Sequence, residues 1–198
     1  MMKKRSNQGG EMKKATIEDL YEIDGKAELI EGIIVMDSPT GMLPNYAAGE
    51  IFVRLRDYAR EYGTGHAISD NAAFIVNLPN RQSFSPDAAY HLGPLTMKFA
   101  EGAPVFAVEV RSENDRGPAA EGRLATKRAD YFAAGTLVVW DVDLEAEDIV
   151  RVHRKDQTEP ERFSLNDLAN AEPAVPGWSM PVADLFPNEP ARGAETPR

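Results

Sequence analysis

Three segments of the chain set acids and a base where they could act together. They are Ser85-Pro86-Asp87, the run Val105-Phe106-Ala107-Val108-Glu109-Val110-Arg111-Ser112, and Lys127 with Tyr131 four residues on. Glu109 interrupts an otherwise apolar strand pattern, and an ionised carboxylate is costly to bury without a partner. Two acids and a base on different elements suit a divalent-metal site. Magnesium, or manganese in its place, takes hard oxygen donors and keeps several waters. Asp87 and Glu109 form a candidate ligand pair, with the Val110 carbonyl as a third donor and Glu28 as a further acid from the N-terminal segment. An ion held there would polarise a phosphate ester and acidify a water, while a nearby lysine orients that water or stabilises developing charge.

The elements that must carry these residues follow from their spacing. Side chains alternate along a strand, so Val105, Ala107, Glu109 and Arg111 share one face, and Phe106, Val108 and Val110 the other. Pro118 to Ala134 reads as a helix ended by Gly135. Its Ala120, Leu124, Lys127 and Tyr131 recur at four, three and four, the stripe that should face a sheet. A lysine on that stripe needs an anionic partner, and Glu109 is the natural one. Leu137 to Trp140 then reads as a second buried strand, making a strand–helix–strand crossover that is right-handed if the strands are parallel.

Elsewhere the pattern predicts a short helix capped by Thr16 and one or two strands between Glu28 and Asp37. A turn at Ser38-Pro39-Thr40-Gly41 precedes an amphipathic helix from Asn45 to Tyr62. Strands follow at Ala72 to Leu78 and around Asp87 to His91, with more exposed strands at Ile149 to His153 and near Phe163. The segment Trp178 to Phe186 closes the core. The class is α/β, with one domain over residues 15–187 between disordered ends at 1–14 and 188–198.

Composition narrows the partners. With 42% apolar and 27% charged residues, the chain reads as an ordinary soluble domain. It has no apolar run of membrane-spanning length, and no apolar stretch follows the basic start to make a secretory signal, which points to the cytoplasm. The absence of cysteine excludes disulfides and thiolate metal sites, and the three histidines show no zinc spacing. A formal net charge of −10 argues against a non-specific nucleic-acid coat, but leaves room for a nuclease, whose site needs carboxylates.

The succession Glu28-Leu29-Ile30-Glu31-Gly32, Ser85-Pro86-Asp87, Val108-Glu109-Val110-Arg111-Ser112, Lys127-x-x-x-Tyr131, Ala134-Gly135 and Val139-Trp140-Asp141-Val142-Asp143 resembles the Uma2 endonuclease family. That family looks like a branch of the PD-(D/E)xK nuclease superfamily, and the likeness spans residues 16–187. It implies a restriction-endonuclease-like core, a central mixed β-sheet flanked by helices. It also implies a magnesium- or manganese-dependent endonuclease acting on DNA as a homodimer. On this resemblance Asp87 and Glu109 match the metal-binding acids, and Glu28 the acid of the Glu-Leu-Ile-x-Gly segment. Arg111 stands where the superfamily motif has lysine. Arginine stays protonated and cannot take a proton from water, so Lys127 is the candidate replacement. Asn45 stands where the family often has histidine.

Each residue also has a structural reading. Glu109 pairs with Arg111 or Lys127, Asp87 begins a turn, and Lys127 snorkels to solvent. Arg111 pairs with Glu113 or Asp115, or contacts phosphate, and Tyr131 is a core aromatic with its hydroxyl satisfied. Glu28 and Glu31 compete for one face, His91 is a surface histidine, and Asp141 to Asp148 is a solvated hairpin. A catalytically silent module that keeps the fold for binding or assembly is the alternative function, and a phosphoesterase acting on a small substrate is a third.

Overall fold

The structure, a computed structural model, describes residues 14–187. Of the ends expected at 1–14 and 188–198, residues 1–13 and 188–198 lie outside the described residues. In chain order the elements are α1 (Ile17–Tyr21), β1 (Ala27–Ile30), β2 (Ile33–Met36), α2 (Met42–Tyr62), β3 (His66–Ser69), β4 (Phe74–Ile75), β5 (Ser83–Phe84) and β6 (Ala88–His91). They continue with β7 (Ala100–Glu101), β8 (Phe106–Val110), α3 (Pro118–Ala134), β9 (Val138–Val142), β10 (Val150–Arg154), β11 (Glu161–Phe163), β12 (Leu168–Asn170), β13 (Ser179–Pro181) and a 3-10 turn at Val182–Leu185.

A six-stranded mixed sheet in the order β11-β10-β9-β8-β6-β3 forms the centre. Only β8 and β9 run parallel within it, joined through α3, while the other pairs are antiparallel. This is the α/β architecture expected from the alternating patterns. Phe106, Val108, Trp140, Val150 and Val152 point to one face, where they meet Ile51 and Leu55 of α2. Trp178, Met180, Val182 and Leu185 pack there too, so the closing segment behaves as its apolar spacing predicts. On the other face Ala89, Ala107 and Val139 meet Tyr131 of α3 and Phe74 and Phe84 of the small sheet β5-β4-β7. Small residues on that face let α3 and the small sheet come close enough to confine polar groups between them.

Local signals explain the ends of the helices. Thr16 and Asp19 form a reciprocal capping box on α1. Helix α2 starts at Met42 rather than Asn45, because extended Gly41 serves as its cap and Pro44 is tolerated in a first turn. It stops at Gly63, which takes the left-handed conformation at φ 66°. Helix α3 has the predicted bounds, set by Pro118 and by Gly135 at φ 112°.

Three expectations are corrected. The Ala72–Leu78 strand shrinks to Phe74–Ile75, since its ladder partners β5 and β7 are themselves two residues long. Asp141 is not solvated: β9 runs on to Val142 and buries it to 3% exposure against Arg111. His91 is buried rather than exposed, its ring edge-on to Phe74 at 5.5 Å.

Candidate functional site

The loop before β6 and the end of β8 bring Asp87 and Glu109 to one region. Asp87 accepts a hydrogen bond from the Val110 N–H at 2.7 Å, and its own N–H donates to the Val108 carbonyl at 3.0 Å. The Asp87 carboxylate therefore extends the ladder where the regular β6–β8 pairing stops at Ala88. Glu109 lies on the α3 face, as its alternation predicts. There Lys127 donates to one carboxylate oxygen at 2.8 Å and the Tyr131 hydroxyl to the other at 2.7 Å. The expected α3 stripe is thus real, and Lys127 points inwards instead of snorkelling out.

Glu28 is the deepest acid. On β1 it is 5% exposed and accepts from the Ser85 N–H at 2.9 Å. Lys127 reaches it at 2.9 Å, and Arg81 pairs with its second oxygen. Glu31 does not compete, because β1 ends at Ile30 and Glu31 sits in the hairpin turn at φ 54°. Arg81 also donates to Asp130 of α3 at 2.9 Å and stacks over Phe84, which stacks in turn on Tyr131 with ring centroids 4.0 Å apart. The hairpin, the small sheet and α3 are tied together through this one guanidinium.

Sequence reasoning missed Lys26, Asp70, Arg81 and Asp130. Lys26, just before β1, contacts Asp87 at 2.5 Å and Asp70 at 2.8 Å. It lies in no periodic segment, so only its neighbourhood to the Glu-Leu-Ile segment hinted at it. Arg111 departs from its expected partners. It grips Asp141 with two hydrogen bonds at 2.7 and 2.6 Å and also pairs with Glu121, while Asp115 instead accepts from Ser112. Arg111 is a clamp between β8, β9 and α3.

Charge shifts express this crowding. Burial pushes Glu109 up to about 7 against the pull of Lys127, and Asp87 and Glu28 add to the rise. Burial also works against the charge on Glu28, yet Lys127 and Arg81 outweigh it and hold the carboxyl below its usual range. Burial opposes the charge on Lys127, but Glu109 and Glu28 keep its ammonium well above the ordinary lysine range. Lys26 is raised in the same way by Asp87 and Asp70. Asp37, just after β2, is raised by desolvation against the pull of Lys127, with Glu28 and Asp87 also pushing it up.

Among the described residues, no three acids or histidines stand together as a ready cation cage. The ammonium groups of Lys26 and Lys127 lie on the carboxylates instead. The donors nonetheless suit a hard cation. Glu28, Asp70, Asp87, Glu109 and Asp130 are five carboxylates ion-paired with three cations, Lys26, Arg81 and Lys127. A small recess lined by Asn45, Asp70, Asp87 and Val110 opens beside them. Oxygen-only donors with excess negative charge fit magnesium or manganese better than a softer metal. Among the described residues, no helix is long and apolar enough to cross a membrane.

Comparison with known proteins bears on the fold and the family. A crystal structure of "a putative nuclease belonging to DUF820 from Anabaena variabilis ATCC 29413" superposes with a TM-score of 0.69 at 18% identity, covering 86% of this chain and 97% of that one. At that identity the likeness speaks for the fold. No curated protein matches the chain. The Uma2 family model, described as "Putative restriction endonuclease", matches residues 15–183, which take in Glu28, Asp87, Glu109 and Lys127 alike. The chain belongs to the Uma2 family.

Proposed function

We propose that this protein is a divalent-metal-dependent nuclease that hydrolyses phosphodiester bonds in DNA. The observation that carries the reading is the Lys127 ammonium, held between Glu109 at 2.8 Å and Glu28 at 2.9 Å on the face that Asp87 borders. Family membership and an acidic site with excess negative charge support it. Asp87, Glu109 and the Val110 carbonyl would hold the ion. When bound, magnesium or manganese supplies Lewis-acid polarisation of the phosphate and a more acidic water.

The chain's own residues have separable roles. Glu28 and Glu109 keep Lys127 protonated, so it acts as a fixed positive donor towards charge developing on phosphate oxygens, and not as a proton acceptor. Tyr131, its hydroxyl proton retained by burial and by Glu109, orients the Glu109 carboxylate. Glu28 positions Lys127 and is itself positioned by Arg81 and the Ser85 N–H. Arg111, committed to Asp141 and Glu121, positions the end of β8 and takes no proton.

Incubating the purified protein with plasmid DNA and Mn2+ or Mg2+ tests the reading. Cleavage should vanish in an Asp87→Ala, Glu109→Ala double variant; equal background in both proteins would end it. A second reading, a silent module, is favoured by the two lysines already seated on the carboxylates. Calorimetric titration separates them, since carboxylate-dependent Mn2+ binding supports the enzyme. The resemblance also implies a homodimer, which light scattering checks.

A further inference from the structure

On the far flank of α3 from Lys127, a cavity of about 460 Å³ opens between the helix, strands β9 to β11 and the turn at 157–160. Its floor follows from strand register. Asp141 stands beside Glu109 on the next strand, Arg151 beside Asp141, and Arg162 beside Arg151, all on the α3 face. Most charges here are satisfied. Arg111 is held by Asp141 and Glu121, and Arg151 and Arg162 both pair with Asp148.

Two donors are not. Arg128, the residue after Lys127, makes no hydrogen bond among the described residues, and its nearest acidic oxygen is on Asp141 at 3.6 Å. Its side chain is 21% exposed. His153, on β10, buries its Nε2 atom without any partner. Arg128 and His153 both line the cavity. A buried polar atom left unpaired is costly, and Arg128, ion-paired with Asp141 but not hydrogen-bonded to it, still has N–H groups to offer. One ligand with several acceptor oxygens would relieve both at once. The cavity is also larger than such an anion alone requires, leaving room for whatever the anion is attached to.

We propose that Arg128 and His153 form a phosphate-binding pocket, occupied by a phosphate group of a nucleic-acid backbone or of a small phosphate ester. The backbone source rests on the nuclease reading above, because Lys127 and Arg128 would then engage neighbouring phosphates from the two flanks of one helix. The phosphate chemistry itself does not depend on that reading.

The protein in EDTA is titrated with inorganic phosphate, thymidine 5′-monophosphate and a short DNA duplex, while NMR follows the imidazole nitrogens of its three histidines. The His153 signals should move on binding, while those of His66 and His91, at the opposite edge of the sheet, stay put. Arg128→Gln should bind the effective probe roughly tenfold more weakly, and Arg128→Lys should recover part of the loss. Response to the duplex assigns the backbone source, and response to the mononucleotide or free phosphate alone assigns the small ester. Failure of every probe to move His153, or unchanged affinity in a folded Arg128→Gln, overturns the pocket. Cleavage in Mn2+ is scored separately on the wild type. A pocket that fails beside intact cleavage removes only the pocket, and a responding pocket without cleavage removes only the nuclease.

Discussion

At the level of single residues, Lys26 and Lys127 hold acids that would otherwise repel one another, and they do so unequally. Lys127 bridges Glu109 and Glu28 from a helix that packs on the sheet, so its position is fixed by the fold. Lys26 reaches Asp87 and Asp70 from the loop before β1, and a flexible side chain there can leave. A cation bound at Asp87 must compete with that ammonium. Lys26→Met therefore has two opposed consequences. In EDTA it leaves Asp87 uncompensated and should lower stability by about 1–2 kcal/mol. In a calorimetric Mn2+ titration it should tighten binding, and saturating Mn2+ should return the melting temperature to that of the wild type. Weaker Mn2+ binding would instead show that Lys26 orients Asp87 for the ion.

At the level of elements, the Arg111 clamp decides what the motif departure means. Its fork meets the Asp141 carboxylate with two parallel bonds and reaches Glu121 near the start of α3, joining β8, β9 and the helix at the end of the sheet that carries Glu109. A lysine cannot make both bonds to Asp141. Arg111→Lys, which restores the residue type of the superfamily motif, should lose about 2–3 kcal/mol in urea unfolding and gain no cleavage rate. A faster Arg111→Lys enzyme would return the catalytic lysine to the strand. The same elements show why some of the site was legible in the sequence and some was not. Pro118 and Gly135 punctuate α3, and 3.6-residue periodicity puts Lys127 and Tyr131 on its buried stripe. Period-two alternation turns Glu109 to the same side. Arg81 and Lys26 arrive from turns, where no period exists, and Asp130 has no sequence-local partner, since Arg81 lies 49 residues away. The two-residue strands β4, β5 and β7 exist only through long-range pairing, which no local propensity announces.

At the level of the whole molecule, two buried groups on the α3 face set opposing pH dependences. The folded-state pKa of Glu109 rises from 4.5 to about 7, so its contribution to stability is complete below 4.5 and is lost as pH climbs through 7. That of His153 falls from 6.5 to about 4, chiefly through burial, so its contribution is complete above 6.5 and is lost as pH falls through 4. The windows overlap, and each group acting alone gives a slope of up to ~1.4 kcal/mol per pH unit. Between about pH 4.5 and 6.5 the slopes oppose each other, which hides both in the wild-type profile. Glu28 and Glu121, held below their usual range by cationic neighbours, lose their contributions only at lower pH. Thermal melts in EDTA across this range should therefore separate the two groups. Glu109→Gln should become steadily more stable as pH rises, because the opposing titration of Glu109 is gone. His153→Phe should become less stable over the same interval. If both variants keep the wild-type profile, neither group is held out of its ordinary range, and the crowding of acids around Glu109 is relieved some other way.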